Sequence, residues 1–264
     1  MASAETPTPA TSPATSPATS SGTGGSDNSF GRIFGVLFSP QATFESIVRK
    51  PTWVLPLILF VFVGVAATTV ITQRVTWRTV IDREIAKSPK AQKRLEQLAP
   101  EQRDQQLNIQ AKYTPYFVYG INVLAPFIVA VVAGAIFMVA FNVVGGTKIA
   151  FKTSLAIYAY AWVPGLIAGL LAIVVLFIKD PSTVDVKNIV ASNPGALLSD
   201  DSPKWLVSLL SSLDLFSFWE IILLAIGYRA ADPKKISFGM ALGTVVSVWL
   251  IYVLVGVGWN AAFS

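Results

Sequence analysis

A chain of 264 residues with 53% hydrophobic and 13% charged side chains carries roughly half the charge usual in a soluble domain, so water is not its main solvent. It has no cysteine and no histidine, which removes disulfide frameworks, thiol nucleophiles, Cys/His zinc sites and the commonest proton shuttle at neutral pH. The net charge of +5 does not call for nucleic acid, because the basic residues flank apolar runs or alternate with acids; anionic lipid headgroups are the expected partner.

Residues 1–29 contain the repeated tract PATSPATSPATSS followed by GTGGSDNS. So little apolar surface cannot offset the entropy of ordering, and the segment reads as a disordered tail ahead of a membrane domain over 30–262. It has no basic residue and no apolar run, so it is not expected to be a secretory signal, and the chain is expected to reach its membrane through its own first span. Residues 30–50 follow, FGRIFGVLFSPQATFESIVRK. Ser39-Pro40 is a helix start, Phe44, Ile47 and Val48 recur at helical spacing, and Pro51 stops the turn. The stretch reads as a short amphipathic helix on the membrane surface, with Arg49 and Lys50 at the headgroups.

About 20 apolar residues rising about 1.5 Å each are needed to cross a hydrocarbon core of about 30 Å. Five segments qualify: 53–72, 117–144, 154–178, 206–227 and 238–259. The fourth is the weakest, being interrupted by Ser208, Ser211, Ser212, Asp214, Ser217 and Glu220. The fold class that follows is all-α, a polytopic bundle of about five transmembrane helices. Between the first two spans, residues 73–115 hold nine basic and five acidic residues with Pro89 and Pro100. Ser88-Pro89 is a further helix start, and a solvated helical hairpin on the bilayer surface is the expected form. Charge does not fix the orientation. The side of the N-terminus holds eight basic residues and the opposite side twelve, while the density in the short loops favours an inward N-terminus.

Within the spans, Gly165 and Gly169 form one GxxxG pair and Gly239 and Gly243 another, both expected at close helix contacts. Pro164 with Gly165 marks a kink; a discontinuous helix there, with backbone carbonyls freed for an ion, is the sharper alternative. In the fourth span Ser211, Asp214, Ser217 and Glu220 recur every third residue and would trace a slowly winding polar stripe. Asp214 and Glu220 with Ser217 are therefore the candidate intramembrane polar site. Asp214 can instead be an acid at the start of a helix beginning near Leu213, which favours the helix dipole. Glu220 lies deeper in either register, with Ser217 three residues earlier as its expected hydrogen-bond partner. No catalytic, cofactor or metal centre is legible: a membrane serine hydrolase lacks its base, two isolated acids make no dyad, and no phosphate-cradling loop occurs.

FSPQATFESIVRKPTWVLPLIL resembles the leading segment of the bacterial branch of the YIP family, the Ypt/Rab-interacting-protein domain of multi-span membrane proteins. LLSSLDLFSFWEIILLAIGYR, 209–229, resembles its later signature, and YAYAWVPGL, 158–166, fits its kinked middle span. The resemblance implies a five-helix bundle with a cytoplasmic N-terminus in a bacterial inner membrane, and a non-enzymatic role. In its eukaryotic branch the family is tied to vesicle traffic, Rab GTPases and membrane shaping. The Asp-Leu-Tyr-Gly-Pro motif of that branch is not found here, which counts against a small GTPase as partner, and Glu220 stands where the family would have a neutral residue. Two functions follow as expectations: a membrane-organising or partner-binding scaffold, with membrane-protein partners or a homo-oligomer, and a permease or ion-coupled transporter using the polar stripe and the Pro164 kink.

Overall fold

The computed structural model describes residues 28–179, 188–199 and 202–263, and among them every regular element is helical. The tail read as disordered lies outside the described residues as far as position 27. Its last residue, Ser29, already belongs to α1 (Ser29–Phe38), and the Asn28 side chain caps that helix, accepting from the Phe30 N–H at 3.2 Å. Ser39 separates α1 from α2 (Pro40–Arg49), whose first-turn proline has no N–H to leave unsatisfied. The single amphipathic helix expected here is thus two. Moreover, α2 is not a free surface helix, since Phe44 and Ile47 are completely buried against the bundle.

The chain then runs through α3 (Val54–Arg74), α4 (Trp77–Ala86), α5 (Pro89–Glu96), α6 (Pro100–Val144), α7 (Phe151–Ala161), α8 (Pro164–Ile178), a 3-10 turn at Pro194–Leu197, α9 (Lys204–Ser212), α10 (Leu215–Ala231) and α11 (Phe238–Phe263). Four stretches are long and apolar enough to cross a bilayer: α3, α6, α7 with α8, and α11. A fifth crossing exists if α9 and α10, bent by 49° at their junction, act as one. α10 alone has 17 residues, about 26 Å, and falls short of the hydrocarbon thickness. With α9 the pair runs along α11, so that a Cβ at Gly256 near the end of α11 would stand 3.8 Å from Ser208 Oγ of α9.

α7 is the axis of the bundle. Every residue from Ser154 to Ala161 is buried, enclosed by α6, α10 and α2. The α6–α7 approach is closest at Gly134, where an added Cβ would lie 3.1 Å from the Leu155 Cα. Ser154 Oγ donates to the Gly134 carbonyl at 2.6 Å and meets the Tyr228 hydroxyl at 2.5 Å, while the Tyr228 ring stacks on Phe141 with centroids 4.1 Å apart. A buried phenol in a nonpolar bundle needs such a partner. Outside this core the spans turn large apolar side chains outward, among them Phe62, Val132, Ile178 and Leu254, as a chain solvated by lipid requires.

The excursion between the first two spans is helical, as expected, but its second arm does not lie flat. α6 is one helix of 45 residues, about 67 Å long, so more than half of it extends past a hydrocarbon core of about 30 Å. α4 packs along that extension. Arg78 fastens it, donating to Asp82 at 3.1 Å, Asp104 at 3.0 Å and Asn108 at 2.8 Å. The hydrogen bond to Asp104, then that to Asp82, raises the Arg78 guanidinium above its ordinary pKa and keeps it charged.

Candidate functional site

The fourth span is where sequence places its polar site, and the structure divides it. At Leu213 and Asp214 the helix stops and restarts. Asp214 becomes the N-cap of α10, its carboxylate accepting from the Phe216 N–H at 2.8 Å and the Ser217 N–H at 3.3 Å. A second carboxylate oxygen accepts from the Ser192 hydroxyl, and the Leu215 N–H donates to the Ser192 carbonyl at 3.2 Å, so the loop before α9 is tied to the bend. The helix-start reading of Asp214 matches this geometry. The stripe is not carried on one continuous helix: Ser211 lies in the last turn of α9, while Ser217 and Glu220 belong to α10. Glu220 is half-buried and has no hydrogen-bond partner among the described residues, so its expected bond to Ser217 is not made; Ser217 contributes its backbone N–H to the Asp214 cap.

At the kink, residues 162–163 separate α7 from α8 directly ahead of Pro164. Proline cannot donate, and the backbone responds by tightening: the N–H groups of Val163, Gly165 and Leu166 reach Tyr160, Trp162 and Val163 at 3.2, 2.9 and 2.9 Å. These carbonyls remain occupied by the turn, unlike those of an unwound ion site. Trp162 stacks on Phe60 of α3, centroids 4.2 Å apart. The first glycine pair lies in the same contact: a Cβ at Gly165 would be 3.3 Å from Phe60 and one at Gly169 2.6 Å from Val63 Cγ1. Gly239 and Gly243 have nothing within 4 Å, so the packing expected of that pair is not made within this chain.

The arrangement that sequence reasoning missed is at the N-terminus. Arg32 of α1 is 2% exposed and pairs with no carboxylate among the described residues. Its guanidinium instead caps the last turn of α2, donating to the Ser46 carbonyl at 3.1 Å, the Ser46 hydroxyl at 2.8 Å, the Lys50 carbonyl at 2.9 Å and Thr52 Oγ1 at 3.1 Å. Carbonyls at a helix C-terminus carry partial negative charge, and a carbonyl such as that of Ser46, which already accepts from the Lys50 N–H at 3.1 Å, keeps a second lone pair for the guanidinium, so the two carbonyls stand in for a counter-ion. The bonds pin α1 against α2 with one face inward. The opposite face presents Phe30, Phe34 and Phe38, one per turn, at 59, 64 and 82% exposure. The available signal was the register: Arg32 shares a face with Ile33 and Val36, and the three phenylalanines share another.

These features define a class, the all-helical multi-pass membrane protein with a packed aromatic core and a rigid helical shelf before its first span. A family model described as the Yip1 domain matches residues 34–260, and the chain belongs to that family of non-enzymatic membrane proteins. No curated protein matches, and no solved structure does.

Proposed function

We propose that the chain is a non-enzymatic scaffold that organises a bacterial inner membrane from its cytoplasmic face, with α1 lying in the headgroup layer and its three phenylalanines inserted among acyl chains. The observation that carries this reading is the outward Phe30, Phe34 and Phe38 face on a helix held rigidly by Arg32. Apolar rings on a helix lying in the interface bury beside lipid and displace headgroups in one leaflet only, which bends or orders it. With five crossings Lys148, Lys152, Arg229, Lys234 and Lys235 would fall on that same side, which supports a cytoplasmic N-terminus. The bundle would present this shelf to lipid and to neighbouring membrane proteins.

Reconstitution into liposomes tests the proposal. Wild type is expected to narrow or tubulate vesicles, and the triple variant Phe30→Ser, Phe34→Ser, Phe38→Ser to lose that effect with unchanged melting of the bundle, since these rings are outside the core. Equal vesicle shapes would contradict it. The transporter reading draws on one specific observation, the unpartnered Glu220 beside a bent span. It predicts proton-dependent flux abolished by Glu220→Gln; under the scaffold reading neither wild type nor variant shows flux and the variant reshapes vesicles normally.

A further inference from the structure

We propose that the cleft where the first span ends holds the phosphate of an anionic lipid headgroup in the leaflet opposite α1. This inference uses the membrane placement of α3 and does not depend on the scaffold reading. α3 has 21 residues, about 31 Å, so a helix that enters the hydrocarbon at Val54 leaves it near Arg74, at the depth of lipid phosphates. There a cleft of about 400 Å³ opens between Thr72, Arg74, Thr76, Trp77, Arg78 and Ala111 of α6.

The charges in and around the cleft are unequal. Arg78 is shared between Asp82 and Asp104, whereas Arg74 makes no ion pair among the described residues. The Arg74 guanidinium lies over the Phe177 ring, 5.7 Å from its centroid. A guanidinium held by its face keeps its N–H edge available, and that edge matches two phosphate oxygens. Thr76 opens α4 without a side-chain cap, so first-turn N–H groups beside the cleft also favour an anion. Trp77 donates its indole N–H to Thr72 Oγ1 at 3.2 Å, which fixes an amphipathic ring at the interface where such rings prefer to lie.

A lipid fits better than a soluble phosphate because exposed apolar surface adjoins the Arg74 guanidinium. Phe177 of α8, under the Arg74 guanidinium, and Val174, three residues earlier on the same helix, are both exposed and offer a path for the acyl chains. A net anionic headgroup fits better than a zwitterionic one, because the acids that could receive a choline or ethanolamine group are already held by Arg78.

The test is the melting of the full chain in micelles doped with phosphatidylglycerol or phosphatidylcholine. Wild type should melt higher with phosphatidylglycerol. Arg74→Gln should melt like wild type in phosphatidylcholine and lose most of the phosphatidylglycerol increment, with apparent affinity reduced at least tenfold. Arg94→Gln, at an exposed basic residue of α5, should keep the increment, and inorganic phosphate at equal concentration should not reproduce it. An unchanged increment in Arg74→Gln, an equal loss in Arg94→Gln, or an increment from inorganic phosphate would overturn the assignment. If the glutamine variant does not fold, Arg74→Lys supplies the comparison: weaker binding than wild type supports the two-oxygen guanidinium contact, and equal binding refutes it.

Discussion

Arg32 shows how a charge can be buried where no acid is available. Hydrogen bonds to two carbonyls at the end of α2 and to the Ser46 and Thr52 hydroxyls replace the water it gives up. Hydrogen bonds to charged groups are worth about 1.5–3 kcal/mol, and truncation would remove all of these at once. Arg32→Ala is therefore expected to lower stability by on the order of 3 kcal/mol and to free α1 from the bundle, read as a fall in detergent melting together with new protease sensitivity near Ser39. A variant that melts like wild type would show that α1 is held by its apolar face alone. The glycines teach a related lesson. The Gly165 and Gly169 spacing was legible as a contact, but the tightest approaches also fall at single glycines with no motif: a Cβ at Gly227 would lie 2.6 Å from Ile157 Cγ2 and 3.0 Å from the Phe44 ring. Those contacts join residues far apart in sequence, and spacing along one helix cannot reveal them.

Among the elements, the fourth span was both the weakest by composition and the one that breaks. Its hydroxyls and Asp214 interrupt the apolar run where α10 starts, because a cap needs a short acceptor side chain in an extended conformation, and Asp214 has that backbone, φ −88° and ψ 139°. Asp214→Ala should cost about 1 kcal/mol, within the range known for lost caps, while Asp214→Asn should stay near wild type because Asn caps equally well. Chemical denaturation in detergent checks both, and an Asn variant as damaged as the Ala variant would assign the carboxylate a role beyond capping. α2 was harder to read. Its periodicity marked Phe44 and Ile47 as apolar, yet periodicity gives the face and not its partner, and here the partner is protein where lipid was expected. The length of α6 was concealed likewise, because Pro115 lies inside the helix without ending it.

For the molecule as a whole, the all-helical class and four of the crossings were legible because lipid forces apolar length onto every crossing helix. The path of the fourth crossing was not, since composition alone does not distinguish a bent span from a re-entrant pair. The tie between the two short loops, Lys235 Nζ donating to the Gly146 carbonyl at 2.6 Å, places both on one side, and α1 enters beside them through the contact of α2 with α10. The absence of native cysteine makes the whole arrangement open to one measurement, labelling of single cysteines at Ser39, Lys90, Lys148, Leu197 and Lys234 by a membrane-impermeant maleimide in sealed, oriented vesicles. Ser39, Lys148 and Lys234 should label from one side and Lys90 and Leu197 from the other. Labelling of Leu197 together with Lys234 would make α9 and α10 a re-entrant pair and contradict the five-crossing bundle.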